Sequence, residues 1–572
     1  MLPSLDVFLR NALVCSSSSR LPASFPAIAI QLLSYMLLLS LPLGAHTEGM
    51  CGCEHRYPIL LELYSATNGA AWKNRSGWSS NVGNCSTDWY GVTCNDSDII
   101  SIQLAENNLI GTLPASLSAL SNLSHLTLTA NSLAGYLPAS WAALISLQYI
   151  ELSMNQLTGT IPATWVAMVN ISFIDISSNQ LNGTLPAEWR SMQQLATLYL
   201  HSNGITGTLP GPWGGGMSNM QHLCLDGNSL SGALPSSWSA MTLVEELSLG
   251  SNAITGALPP QWSSWTSLEY LSVRFNRITG SLPGSWSSMI SLVTMELHSN
   301  AIVGSLPREW ASLASLRTIG LSDNKLIGSL PSEWANMSTL TTISLRNNLL
   351  TGMLPESWSA LNNLTSLTLS VNAFTGSLPP SWAALTSLQY IELKLNRLNG
   401  ELPPEWAAMV SISSIDISSN QLTGTLPAEW RSMQQLATLF LHSNSITGTL
   451  PEAWGGGMNN MQLLWLYGNS LSGTLPSSWS AMTLIEELSL GYNTIGGTLP
   501  PTWSTMTALR DLFLGSNDIR GSLPTEWSSW TSLEYLSVRF NRITGSLPGS
   551  WSAMISLVTM ELHSNAIVGS LP

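Results

Sequence analysis

Leu126-Thr127-Leu128-Thr129-Ala130-Asn131-Ser132-Leu133-Ala134-Gly135-Tyr136-Leu137-Pro138-Ala139-Ser140-Trp141 is the first complete instance of the pattern L-x-L-x-x-N-x-L-x-G-x-L-P-x-x-W, which recurs to the end of the chain. Its asparagine runs from Asn107 to Asn565 over 20 coils, 24 residues apart except for Asn203 to Asn228 and Asn444 to Asn469, which are 25 apart. A fixed period of this length marks a solenoid, in which no slice can bury its apolar edge alone and each stacks on the next.

The positions within a coil have separable roles. Leucines two apart, such as Leu126 and Leu128, have the period of a short strand with one face turned inward. Stacking places the asparagine between coils, where an amide that both donates and accepts can bond neighbouring backbone. The glycine, present in each coil from Gly111 to Gly569, permits a tight turn, and Leu-Pro restricts the chain as it leaves. Eighteen tryptophans, Trp141 to Trp551, fill the next column. Such a stripe invites a sugar-stacking reading, but core packing is expected, because a large ring gives a thin coil more burial than leucine would. The pattern is a leucine-rich repeat. It predicts an α/β solenoid, a right-handed superhelix with a parallel β-sheet on its concave face and 3-10 or short helical turns on its convex side.

The predicted organisation is a signal peptide at 1–45, a cysteine-containing cap at 46–98 and about 20 coils at 99–572. Arg10 and Arg20 precede the apolar run 27–41, and Leu43-Gly44-Ala45 offers a cleavage site. An uncleaved signal-anchor is the alternative, and either one sends the repeats out of the cytosol. The chain stops partway through a coil at Leu571-Pro572, so a truncated C-terminus is expected, with any membrane anchor in the missing part. Of six cysteines, Cys51, Cys53, Cys85 and Cys94 cluster before the repeats, as in a stapled cap in an oxidising compartment. Cys51 and Cys53 pair within the cap or else with another chain or a metal. Glycosylation sequons at Asn74, Asn84, Asn95, Asn122, Asn170, Asn182, Asn336 and Asn363 agree with export.

Only 9% of residues are charged and the formal net charge is -14. Without a Lys/Arg block there is nothing to track phosphates, which excludes nucleic acid as an expected partner. No catalytic signature is present, and no cofactor or metal is expected.

The repeats also contain a larger duplication. Residues 140–152 recur at 381–393, an offset of 241, whereas residues 265–276 recur at 530–541, an offset of 265. The difference is one coil, centred on Asn517, gained in the copy or lost from the original.

Function falls to the outward strand positions, since the rest of each coil is committed to packing. The residue between the two strand leucines and the one two further on give the candidate ligand-binding set Tyr199, His201, Phe440, His442, Trp465, Tyr467 and Phe513. Strands lie roughly 4.8 Å apart, so the aromatic members of the later coils are expected to form a continuous patch. Glu151/Asp175 and Glu392/Asp416 read as solvated carboxylates on adjacent strands, with a cation site or an acid/base couple as the alternative. His201, His298, His442 and His563 recur without a second ligand and read as surface polar residues. Cys224, which aligns with Trp465, reads as an outward thiol.

Tyr57 to Trp72 and Cys85-Ser86-Thr87-Asp88-Trp89-Tyr90-Gly91-Val92-Thr93-Cys94 together resemble the amino-terminal cap of plant-type extracellular leucine-rich repeat proteins. That resemblance implies a Cys85–Cys94 disulfide. The form L-P-x-x-W, as in Leu475-Pro476-Ser477-Ser478-Trp479, resembles the promastigote surface antigen family of kinetoplastid protozoa, exported glycoproteins that are often membrane-anchored. The expectation is a non-enzymatic secreted or cell-surface glycoprotein for recognition or adhesion, presenting its concave face to a protein, peptide or glycan. The alternatives are the ectodomain of a receptor-like protein and an inhibitor of extracellular hydrolases.

Overall fold

A computed structural model describes residues 53–78, 89–95 and 98–569. The leader at 1–45, Cys51, Cys85 and Asn84 therefore lie outside the described residues, and with them the Cys85–Cys94 pairing. Two compact units make up the chain, one ending at Ala253 and the other beginning at Ile254. Among the described residues the strands of the main sheet number 21, eight in the first unit and thirteen in the second, and all but the first pair in parallel.

In the first unit the helix Tyr57–Ala66 opens the described chain. Strand Val92–Cys94 pairs antiparallel with Ile99–Gln103, and from there pairing is parallel. His125–Thr127, Tyr149–Glu151, Phe173–Asp175, Thr197–Tyr199 and His222–Cys224 follow in register. Trp72, Trp78 and Trp89 are buried together over the first coil, with ring centroids 4.8 Å and 5.1 Å apart along that series. Arg56 clamps Asp98 with two bonds, Nε to Oδ1 at 2.8 Å and Nη2 to Oδ2 at 2.7 Å. The Asn107 amide accepts from Asn74 N–H and donates to Asn74 carbonyl, so the asparagine column continues into the cap.

The second unit repeats the same slice from Tyr270–Ser272 to Thr559–Glu561, each strand parallel and in register with the next. Opposite the sheet, each Leu-Pro among the described residues leads into a single 3-10 turn, for example Glu356–Ala360 after Pro355. The loop between is tightened by residues with left-handed backbone. At Gly159, φ is +77°, and a Cβ there would collide with the Tyr136 ring of the previous coil. More surprising is the residue before the asparagine, which is left-handed and, except at Gly227 and Gly468, is not glycine, as at Phe540 (φ 50°). Its N–H bonds the next coil, Phe540 N to His563 carbonyl at 3.1 Å, which offsets the steric cost of the conformation.

Two columns hold the coils together. Each asparagine side chain accepts from the coil before and donates to it and to its own coil. Asn300 Oδ1 takes Ile278 N–H at 3.0 Å, while Nδ2 reaches Val273 and Leu297 carbonyls at 3.0 Å and 3.1 Å. The tryptophans are core, as expected, and wholly buried from Trp141 to Trp527. Their rings lie nearly parallel between coils, Trp334 and Trp358 at 6.2 Å and 4°. The sequence did not reveal the use of the indole N–H, which donates to the Leu-Pro carbonyl of the preceding coil.

Candidate functional site

The inward leucines fix which side chains face out. In Thr438–Phe440 the middle residue is buried and the flanking two point away from the core. Each strand thus presents two outward side chains, and a third lies two residues further on.

In the second unit the structure brings most of the sequence-derived candidates together. Phe440 stacks on Trp465 with centroids 4.2 Å apart, and His442 stacks on Tyr467 at 4.4 Å and 7°. His442 also lies 5.8 Å from Trp465. Burial holds the imidazole pKa below its ordinary value, against an opposing pull from Asp416. Phe513 is not in direct contact with this group, because Ser489 occupies the strand between it and Trp465. The continuous patch of the sequence reading is therefore two aromatic walls with a gap. Tyr199 and His201 belong to the first unit and form no part of it. Tyr199 ends a separate ladder in which Tyr149 stacks on Phe173 at 4.2 Å and Phe173 meets Tyr199 edge-on at 5.9 Å.

The gap over Ser489 is a pocket of about 300 Å³. Trp465 and Tyr467 line it together with Phe513, Tyr492 and Arg539, and its base includes Gly491 and Gly515. Glu487, which the sequence reading passed over, also lines it. It stands in the outward column immediately before the first strand leucine, in register with Asp511 and then Tyr535. Burial raises the Glu487 pKa and Asp511 adds to the shift, with the Trp465 indole opposing it. Asp511 is raised by burial and then by Glu534. Neither carboxylate forms an ion pair with a described residue. The Trp465 indole N–H is buried and acts on the Glu487 carboxylate, favouring its charged form. Period-two alternation extended one residue earlier in each strand would have found this column.

The acidic pairs differ from expectation. Glu392 and Asp416 are buried rather than solvated, and Lys394 bridges them at 2.9 Å and 3.0 Å. Glu151 and Asp175 are also in register, but Ser153 stands where the copy has Lys394. Burial and then Asp175 raise the Glu151 pKa, while Tyr149 donates to it at 3.3 Å. Cys224, although it stands in the outward column, is buried, with its sulfur 3.2 Å from Asp226 Oδ2. His201 and His298 are half-buried rather than at the open surface, with Nδ1 near the hydroxyl of the following serine. Among the described residues no group of three or more His, Cys, Asp or Glu is placed to hold a metal ion. No helix among them is long and apolar enough to cross a membrane.

Comparison with known proteins agrees with this architecture. Leucine-rich repeat models match at 266–326 and at 146–168, 339–361, 411–433, 460–482 and 532–554. A probable leucine-rich repeat receptor-like protein kinase of Arabidopsis thaliana is 49% identical over 45 residues, a stretch that spans 8% of this chain and 5% of that protein. The ectodomain of the Arabidopsis receptor kinase HAESA, solved with an extended IDA peptide hormone, superposes with a TM-score of 0.78 at 28% identity, covering 91% of this chain and 87% of that one. HAESA with IDA and the co-receptor SERK1 gives a TM-score of 0.71 at 26% identity, covering 90% and 95%. These likenesses support the plant-type extracellular class of leucine-rich repeat.

Proposed function

We propose that this chain is a non-enzymatic extracellular recognition domain that seats a peptide, or an extended segment of a protein, across the strand face between Phe440 and Phe513. The observation that carries the reading is the pair of aromatic walls, Trp465 backed by Phe440 on one side and Phe513 on the other, that flank the pocket over Ser489. An extended ligand laid across these strands buries both walls against itself, and central aromatic anchors of this kind carry much of the energy at recognition surfaces. The similar solved ectodomains were captured with peptide hormones, which favours a peptide over a glycan here.

The tryptophan-bearing form of the repeat favours a surface antigen used in adhesion over a receptor that signals. Export through the leader and glycosylation belong to the same reading. Asn95, Asn122, Asn170, Asn182, Asn336 and Asn363 are exposed, and Asn74 is half-exposed. The test is selection of a random displayed peptide library on the immobilised chain, with a Trp465→Ser/Tyr467→Ser chain as counter-selection. Recovery of peptides that prefer the unaltered chain supports the reading, and recovery of none or of peptides indifferent to the change defeats it.

A further inference from the structure

The pocket over Ser489 has a composition that the peptide reading alone does not explain. Its walls are aromatic, its base is glycine and serine, and its one unpaired formal charge is the Glu487 carboxylate. The Arg539 guanidinium at the far side is already engaged, with Nε 3.5 Å from Glu561 and Nη2 donating to the Tyr492 hydroxyl at 3.4 Å. Asp511, next to Glu487 in register, adds a second unpaired carboxylate just outside.

We propose that this pocket is a cage for one basic side chain, lysine or arginine, of the peptide that the strand face binds. The proposal rests on the peptide reading above and specifies what the peptide must carry. Trp465 and Phe513 stand two strands apart, roughly 9.6 Å at the backbone. A cation midway between them is then about 4.8 Å from each ring, inside the ~6 Å range over which an aromatic face attracts a cation. Phe440 covers Trp465 on the side away from the pocket, which holds the indole in place. Space for the side chain comes from the two glycines. A Cβ at Gly515 would stand 3.0 Å from Arg539 Cγ, and one at Gly491 would stand 3.0 Å from the Gly515 carbonyl oxygen.

The duplicated block supplies an internal control. Cys224 and Asp226 align with Trp465 and Tyr467, and no residue of the first block aligns with Phe513 or Gly515, which belong to the additional coil. That coil therefore completes the cage, and only the second block has one.

The test uses the full chain and two small probes, acetyl-arginine amide and acetyl-citrulline amide, which differ in charge and little in shape. Binding is read by saturation-transfer NMR on the probe. The expected result is saturable binding of the arginine probe, with roughly tenfold weaker binding of citrulline and a similar loss in Glu487→Gln. Deleting 494–517, which restores the spacing of the first block, should abolish it. If that deletion does not fold, Phe513→Ser takes its place with the same expected loss. Equal binding of the two probes, binding of neither, or unchanged binding in Glu487→Gln overturns the cage. Each of these results leaves the library selection free to succeed, so the failure of this proposal is distinct from the failure of the peptide reading.

Discussion

The indole N–H of Trp358 donates to the carbonyl of Pro331, 27 residues earlier, at 2.9 Å. The same bond joins Trp382 to Pro355 and Trp406 to Pro379, so tryptophan acts both as filler and as a directional tie between coils. Trp358→Phe keeps much of the ring but removes one of the two donors to the Pro331 carbonyl, which retains the Trp334 N–H, and should lose about 1 kcal/mol. Trp358→Leu adds a cavity and should lose more. Urea unfolding followed by circular dichroism measures both; a Phe variant as stable as the parent would mean the bond is dispensable.

Asn300 makes the analogous tie on the sheet side. Asn300→Leu strands the Ile278 N–H and removes one of the two amide donors from each of the Val273 and Leu297 carbonyls, which keep Asn276 and Asn324, with an expected loss of roughly 1–3 kcal/mol. An unshifted urea midpoint would remove the ladder from the account of stability.

Lys394 neutralises a buried acidic pair in the second unit, whereas the first unit leaves Glu151 and Asp175 without such a cation at Ser153. Lys394→Met should therefore cost roughly 3 kcal/mol at neutral pH, the order expected for an abandoned buried charge. The paired lysine has a raised pKa, so its contribution is complete below its unfolded value of ~10.4 and disappears as pH rises through the folded one.

Glu151 behaves in the opposite sense. Its folded pKa is raised, so between the ordinary value of ~4.3 and the folded value the native state binds more protons, and stability falls as pH rises. Above that window the penalty is complete. Glu151→Gln should remove this part of the pH slope and raise the melting temperature at pH 7, and Ser153→Lys should do the same by pairing. Melting curves from pH 4 to pH 7 that are parallel in all three chains would show that Glu151 does not titrate as described.

Trp465→Ala is expected to weaken a peptide recovered by selection by about 2 kcal/mol, roughly 30-fold, as central aromatic anchors do. Its urea midpoint should barely move, because the ring stands on the outward face of the strand. Loss of binding accompanied by loss of stability would assign the ring to the fold instead.

The repeat period, the inward leucines and the burial of tryptophan were legible because each depends only on spacing within one coil. Features that depend on the neighbouring coil were not. The acceptor for each indole N–H is a backbone carbonyl with no sequence mark. Likewise Glu392 and Asp416 read as solvated until Lys394 is placed between them. The site was partly legible: Trp465, Tyr467 and Phe513 were found, but Glu487 and Asp511 were passed over because the reading began at the leucines and not one residue earlier. Tyr199 and His201 share a column type with the patch and nothing else.

Asn517, in the coil without a counterpart, bonds the Leu490 and Leu514 carbonyls and accepts from Ile495 N–H, the same three contacts its neighbours make. The asparagine and tryptophan ties each join one coil to the next, so a newly copied slice meets familiar partners above and below. Growth by copying is then mechanically silent, while the side chains on the newcomer's outer edge remain open to selection. In such an architecture, novelty of surface is separable from the upkeep of the scaffold.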